Sequence, residues 1–184
     1  LEVSQDWRNT TTPYGPLHLW IGELVTGLVG DNVTAGVAAY KVLSLLGFIT
    51  IAWSIPRIAS KLGADPAVAL WLGVANPVII LHLIGGMHNE SLMVGLVSIG
   101  LLAALNRHFH AALLLVGTAV AMKATAVIAA PFIVWMMLHY YAPKGSSKWR
   151  SLFVFVLSGL TALVEIIAAV APVSYTHLRA HETE

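Results

Sequence analysis

The sequence predicts an all-α fold, a polytopic transmembrane helical bundle with about six spanning or half-spanning helices. Hydrophobic residues make up 58% of the 184 residues, charged residues make up 10%, and the mean hydropathy is +0.80. A soluble domain carries about 25% charged residues, so this chain has too few charges to cover a surface that faces water. Long apolar runs alternate with short polar segments, which is typical of membrane-spanning helices.

The first thirty residues predict a loop followed by a helix that is too short to cross a membrane. Residues 1–15 are polar and include Trp7 and Tyr14, a composition typical of the membrane interface. Residues 16–30 are apolar, but at 1.5 Å per residue they would measure only about 22 Å, less than the roughly 30 Å hydrocarbon layer. Glu23 interrupts this run, which favours a juxtamembrane or re-entrant helix.

Three further helices follow from the next apolar runs. Residues 35–54 and 66–84 are each long enough to span, and residues 55–65 between them predict a break that carries Arg and Lys. Pro77 lies inside the second run and predicts a kink, because proline removes a helical hydrogen bond. Residues 91–105 form the next apolar run.

The last two apolar runs fix the expected topology. Residues 111–141 would form a helix of about 46 Å, too long for one pass, so we predict two short helices joined at 122–125. Residues 151–173 make the final span. With two helices in 111–141, the basic segments share one face, which the positive-inside rule assigns to the cytoplasm; these segments are 55–65, 106–110 and 142–150.

This topology places the stretch GGMHNES (residues 85–91) and Lys123 together on the extracytoplasmic face. A histidine, an amide and a carboxylate, His88, Asn89 and Glu90, are adjacent here, and such groups can bind sugar hydroxyls or a metal, or accept a proton. The alternative is an ordinary loop whose polar residues cap the next helix. The residues alone leave both interpretations open.

Other polar residues in apolar surroundings are candidates with alternatives of their own. Lys123 could contact a lipid phosphate or extend to the interface. Glu165 could line the same cavity or pair with Lys123, and Glu23 is equally ambiguous. His82 could belong to the site or pack as a core histidine. Arg8 could bind phosphate or anchor the chain at the interface.

Composition and motifs exclude several function classes. The chain has no cysteine, which excludes disulfides, thiolate chemistry and zinc–thiolate sites. It carries no dense basic patch for nucleic acid, and no nucleotide-binding or zinc-protease motif is present. The residues indicate no metal site.

Four stretches together resemble one family. They are WRNTTTPYGPLHLW (7–20), NPVIILHLIGGMHNESLMVGL (76–96), AVAMKATAVIAAPF (119–132) and the basic loop 142–150. Their order and spacing are similar to those of the polyprenol-phosphomannose-dependent α-1,6-mannosyltransferases of actinobacteria, which belong to the GT-C class. The resemblance covers nearly all of residues 7–173.

The resemblance implies a partial GT-C membrane domain in a multi-pass enzyme of the cell membrane, with its active face outside the cytoplasm. Mannose would pass from polyprenyl phosphomannose to a lipid-linked α-1,6-mannan without a nucleotide. The resemblance implies no certain cofactor, and a requirement for a divalent metal stays open. By this resemblance, the substrate would be contacted by His88, Asn89, Glu90 and Lys123. Tyr14 would belong to the juxtamembrane segment before the bundle and would also contact the substrate. The family commonly has aspartate where Glu90 stands, and its principal carboxylate is expected upstream of Leu1.

The sequence predicts where the domain ends, and it leaves two rival functions open. Residues 1–173 are expected to form one partial glycosyltransferase domain, and the polar, aperiodic residues 174–184 are expected to be a non-native tail, so their histidines are not ligand candidates. The first rival is a secondary transporter or lipid flippase with an intramembrane polar path. The second is a structural membrane subunit without a site.

Overall fold

The computed structural model describes residues 14–86 and 89–181, with side chains described through Ser174. These residues form helices joined by short turns and contain no β-strand, which confirms the predicted all-α class. The elements are α1 (Pro16–Val29), α2 (Val33–Lys61), α3 (Pro66–Gly73), α4 (Pro77–Ile80) continued by a π-helical turn (Leu81–Gly85), α5 (Glu90–Leu105), α6 (Phe109–Met122), a 3₁₀ segment (Ala124–Ala129), α7 (Ala130–Tyr141) and α8 (Lys148–His181).

Several of these helices have the length and composition of membrane spans. Three are long and apolar enough to cross, namely Val33–Lys61, Ala124–Tyr141 and Lys148–Ser174, and a bent pair raises the number to four if it counts as one span. In α8 only 11% of the most apolar window is buried within the protein. Because so much leucine, valine and phenylalanine faces outward, the bundle presents the surface expected of a membrane protein.

The kink predicted at Pro77 is present as a complete break. Helix α3 and the helix that begins at Pro77 are bent by 52° relative to each other. Pro77 occupies the first turn of α4, where its missing N–H costs no helical bond, and Asn76 caps that turn by accepting a hydrogen bond from the Val78 amide at 2.9 Å.

The break expected at residues 55–65 was wrong in its position. Helix α2 continues through Pro56 and ends at Lys61. The proline removes one N–H, and nearby side chains supply donors to neighbouring carbonyls: Arg57 donates to the Trp53 carbonyl at 2.7 Å, and Ser60 donates to the Pro56 carbonyl at 2.9 Å. The Arg57 guanidinium also lies 4.2 Å from the centre of the Trp53 ring, one turn back on the same helix.

The predicted division of residues 111–141 is confirmed. Helix α6 ends at Met122, and Lys123 adopts an extended conformation with φ −156° and ψ 125°. The 3₁₀ segment and α7 then return through the bundle. The core of this half lies between α5, α6, α7 and α8, and its fully buried side chains include Leu113, Val116 and Ile133.

The basic segments lie at one end of the bundle, here called the basic end. The ends of α2 and α5 meet there around a cavity lined by Ile58, Leu62 and Leu105. The Arg107 guanidinium lies 4.9 Å from the centre of the Tyr140 ring, so the turn after α5 meets the end of α7. These loops therefore share one end of the bundle, opposite the end that holds Lys123, and the assignment of this end to the cytoplasmic face stays a prediction.

Helix α1 lies across that opposite end. The backbone N–H of Gly15, the residue just before α1, donates a hydrogen bond to the Met122 carbonyl at 2.8 Å. Its C-terminal half and the start of α2 line a cavity of about 530 Å³ that also reaches Gly86. Both ends of α1 thus contact segments at the same end of the bundle, as expected of a juxtamembrane or re-entrant helix.

Helix α8 runs through the boundary expected near residue 174. Its backbone remains helical to His181, although its side chains are described only through Ser174. The expectation that residues 174–184 are a non-native tail remains a prediction.

Candidate functional site

An ion pair between Glu90 and Lys123 forms the centre of the candidate site. The Lys123 ammonium donates to Glu90 Oε1 at 2.6 Å. Glu90 opens α5 and Lys123 follows α6, so the α5–α6 hairpin brings two residues together that are 33 positions apart in the sequence. The side chains are 24% and 23% exposed, which places the pair in a shielded but accessible position. The sequence-based expectation that these two residues lie together is met by this geometry.

The segment before α1 forms one wall of the site. A Cβ atom on Gly15 would overlap the Ala121 carbonyl oxygen, so only glycine allows this close approach to the end of α6. The approach brings the Tyr14 ring within 5.6 Å of the Lys123 ammonium, a cation–π distance. Tyr14, Glu90 and Lys123, all selected from the sequence, therefore lie in one cluster.

A histidine that the sequence analysis did not select completes the cluster. The Asn89 amide nitrogen lies 3.2 Å from His18 Nδ1, and the His18 ring stacks at 4.6 Å against the Tyr14 ring. An amide nitrogen can only donate, so His18 Nδ1 accepts and the neutral ring carries its proton on Nε2. His18 thus links α1 to the loop that carries Glu90.

The protonation of His18 follows from its surroundings. Burial lowers the pKa of His18 from its ordinary value of 6.5, while the negative charge of Glu90 acts in the opposite direction and is the smaller effect. The neutral form is therefore favoured, in agreement with a ring nitrogen that accepts the Asn89 hydrogen bond.

Helix α2 contributes a second lysine near the same loop. The Lys41 ammonium donates to the Ile84 carbonyl at 2.9 Å and to the Gly85 carbonyl at 3.3 Å. Farther along α2, Gly47 packs against the backbone of Ser91 and Leu92. Both contacts flank the segment that carries Asn89 and Glu90.

The structure places the remaining sequence candidates elsewhere. Glu165 lies 2.9 Å from His110 Nδ1 at the start of α6, so it does not join Lys123 at the other end of that helix. His82 lies exposed in the π-helical turn, and Glu23 is exposed on α1. Arg8 and His88 lie outside the described residues.

The residues that the sequence analysis missed carried weak signals. His18 is one helical turn after Tyr14, a spacing that places two side chains on one face, but only docking of α1 gives that face a partner. Lys41 is a lone cation inside an apolar run, which is itself an indication of a structural or functional contact.

The described part of the chain offers a cation, a carboxylate and an amide, but no metal centre. No three histidine, aspartate or glutamate side chains cluster there in a way that could hold a metal ion. An ammonium group beside a carboxylate and an aromatic ring can bind a phosphate oxygen, and the amide and imidazole N–H can bind hydroxyl groups.

Fold and geometry together define an α-helical membrane protein with a cluster of polar side chains at one end of its bundle. The chain belongs to the α-(1→6)-mannopyranosyltransferase family, because residues 1–139 match the model of that family's N-terminal domain. The family resemblance found in the sequence is thereby confirmed.

Individual relatives agree with this assignment. The chain is 66% identical over 142 residues to α-(1→6)-mannopyranosyltransferase A of Corynebacterium glutamicum, covering 77% of this chain and 29% of the relative. It is 38% identical over 173 residues to α-(1→6)-mannopyranosyltransferase A of Mycobacterium tuberculosis, covering 94% of this chain and 33% of that relative. The chain thus spans about a third of the length of these curated relatives. No solved structure matches it.

Proposed function

We propose that this chain acts in the transfer of mannose from polyprenyl phosphomannose to a lipid-linked α-1,6-mannan acceptor, on the extracytoplasmic face of the cell membrane. The observation that carries the proposal is the Glu90–Lys123 pair at the end of the bundle opposite the basic loops. Family membership supports the mannosyl transfer, and the positive-inside rule supports the face.

The proposed site binds the phosphate of the donor through Lys123. An ammonium group has three N–H donors and Glu90 accepts one of them, which leaves donors for phosphate oxygens. Glu90 and the Tyr14 ring fix the position of the ammonium, and a fixed cation stabilises the charge that develops on a leaving phosphate. We assign sugar hydroxyl contacts to Asn89 and His18. We retain His88 as a substrate contact from the family resemblance, and Arg8 as a phosphate contact from its charge and its place in the N-terminal segment.

The proposed reaction inverts the anomeric carbon of mannose. The acceptor hydroxyl oxygen forms a bond to that carbon, while the bond between the carbon and the phosphate oxygen breaks and the polyprenyl phosphate leaves with the electron pair. A carboxylate base takes the hydroxyl proton. We give that role to none of the described carboxylates, since Glu90 is committed to holding Lys123.

The position of Glu165 favours this proposal over a transport path. Glu165 pairs with His110 near the start of α6, whereas Lys123 follows the last residue of that helix. Met122 lies 12 positions after His110, which corresponds to about 18 Å along a helix axis. The polar groups therefore form two separate sites rather than one continuous route for an ion.

A chimera tests the proposal most directly. This chain replaces the matching segment of α-(1→6)-mannopyranosyltransferase A of Corynebacterium glutamicum, and purified membranes receive radiolabelled polyprenyl phosphomannose with a lipid-linked mannan acceptor. We expect transfer by the chimera, and a loss of about 100-fold or more in Lys123→Met, because removing one charge-stabilising donor costs that much. The Lys61→Met variant at the basic end is the matched control.

Two results would overturn the proposal. An inactive chimera that folds as well as the parent enzyme would contradict the assigned activity. Full activity of the Lys123→Met chimera would contradict the assigned phosphate contact. Labelled GDP-mannose in a parallel reaction tests the donor, and transfer from GDP-mannose alone would refute the polyprenyl phosphate assignment.

We also propose that residues 1–173 belong to one partial glycosyltransferase domain and that residues 174–184 are a non-native tail. Truncation after Val173 is expected to leave the melting temperature unchanged, and a clear loss of stability would show that the final helical turns belong to the fold.

A further inference from the structure

The segment that leads to Asn89 and Glu90 follows the end of a short π-helical turn. This turn ends at Gly85, and the Gly86 N–H donates back to the Leu81 carbonyl at 3.1 Å. Carbonyls at a helix end carry partial negative charge and need donors where water is scarce. Two of these carbonyls, those of Ile84 and Gly85, accept hydrogen bonds from Lys41 at 2.9 and 3.3 Å.

The other side of the loop is held by a backbone contact. A Cβ atom on Gly47 would lie 2.5 Å from the Leu92 nitrogen and 2.6 Å from the Ser91 oxygen, so α2 touches the first turn of α5 directly. The contact continues one turn farther, where a Cβ atom on Gly95 would lie 3.1 Å from the Gly47 carbonyl oxygen. Ser91, next to Glu90, is fully buried at this contact.

Both contacts come from a single rigid element. Lys41 and Gly47 are six residues apart on α2, about 9 Å along the helix axis. Lys41 therefore fixes the entry to the loop and Gly47 fixes its exit. The position of Glu90, and hence of Lys123, is therefore set relative to α2.

We propose that Lys41 is a positioning residue for the site: by binding the Ile84 and Gly85 carbonyls it clamps the loop that carries Asn89 and Glu90 against α2. This inference rests on the proposed function for its effect on activity, but the clamp itself is a property of the chain. Its loss removes the hydrogen bonds that tie the end of the π-helical turn to α2, so the Glu90 carboxylate holds Lys123 in a less fixed position.

The clamp is tested first without any substrate. Hydrogen–deuterium exchange of the purified chain in detergent is compared between the parent protein, Lys41→Met, Lys41→Arg and Lys61→Met. Lys41→Met removes the donors at nearly constant length, Lys41→Arg keeps them, and Lys61→Met removes a cation from the same helix at its other end. We expect faster exchange in peptides covering residues 82–93 in Lys41→Met alone.

The effect on the site is tested in the chimeric enzyme. A misplacement of about 1 Å can cost about 100-fold in rate, so we expect Lys41→Met to lower kcat by about 10- to 100-fold with a smaller change in KM. Lys41→Arg should restore most of the rate. If Lys41 acts through Glu90, adding Lys41→Met to Glu90→Gln should cause little further loss, because effects on one unit are not additive.

These measurements separate failure of the clamp from failure of the proposed function. Unchanged exchange at residues 82–93 in Lys41→Met overturns the clamp whether or not the chimera is active. Faster exchange together with an additive loss in the double variant overturns the positioning role. If Lys41→Met does not fold, Lys41→Leu, which also removes the donors, is measured in its place and is judged by the same two criteria.

Discussion

A methyl group added at Gly47 tests the close backbone contact between α2 and α5. In Gly47→Ala the new Cβ would lie 2.5 Å from the Leu92 nitrogen and 2.6 Å from the Ser91 oxygen. Backbone atoms on a packed helix cannot turn aside as a side chain can, so the two helices must separate. Gly159→Ala is the matched control, since Gly159 also lies inside a long apolar helix and a Cβ there meets nothing within 4 Å.

The expected magnitude follows from two opposing effects. Replacing a helical glycine by alanine stabilises the folded state by about 0.5–1 kcal/mol, and this gain applies to both variants. Overpacking at Gly47 costs about 1–3 kcal/mol and applies to that variant alone. The free energies of unfolding should therefore differ by about 1–3 kcal/mol, and 2 kcal/mol corresponds to about 4–8 °C in melting temperature for a chain of this size.

The melting temperatures of both variants are measured by thermal unfolding in detergent. Unfolding is followed by far-ultraviolet circular dichroism and by the fluorescence of the six tryptophans. Gly159→Ala should melt at or above the parent temperature and Gly47→Ala below it. Equal melting temperatures for the two variants would refute the argument, because they would show that α2 and α5 do not touch at Gly47.

Three further predictions follow from the site. Lys123→Met should lower the free energy of unfolding by about 1–3 kcal/mol, which lies between the costs of breaking an exposed and a buried ion pair. Adding Glu90→Gln should recover part of this loss, as measured by chemical denaturation. Burial lowers the pKa of His18 below 6.5, so at pH values just below 6.5 the unfolded chain binds more protons than the folded protein. The free energy of unfolding should therefore fall as the pH drops below 6.5, and His18→Gln should weaken this pH dependence. In the cysteine-free chain, Gly86→Cys should react with a membrane-impermeant maleimide on intact cells, and Ser146→Cys should react only after the cells are permeabilised.

Each of these predictions has an outcome that contradicts it. An unchanged unfolding free energy in Lys123→Met would show that the ion pair contributes nothing to stability. An identical pH dependence with and without His18 would show that its ring is as accessible to protons in the folded state as in the unfolded chain. Labelling of Ser146→Cys but not Gly86→Cys on intact cells would reverse the assigned faces.

Much of the helical pattern could be predicted from the sequence, because length and hydropathy directly limit what can cross a membrane. The division at residues 122–125 was predictable because 31 apolar residues make too long a single pass and because charge fixes the face of each loop. The continuation of α2 through Pro56 to Lys61 was not predictable, since proline disfavours a helix interior and local sequence does not show that the helix resumes in the fold.

The residues of the candidate site were also predictable only in part. Glu90, Asn89 and Lys123 were recognisable as polar groups in an apolar chain, where an unexplained charge is costly. His18 and Lys41 were not selected, because their partners are 71 and 43 residues away in the sequence and no local pattern connects them.

The sequence by itself determined that this protein is an all-α membrane protein, where most of its helices begin and end, and which end of the bundle carries its polar residues. These properties follow from composition, local periodicity and charge, which act over a few residues. Only the tertiary structure decided that Glu90 pairs with Lys123 rather than Glu165, that α1 brings His18 to Asn89, and that α2 holds the loop through Lys41 and Gly47. These contacts depend on how closely helices approach one another, a distance that is set by packing against all their neighbours at once.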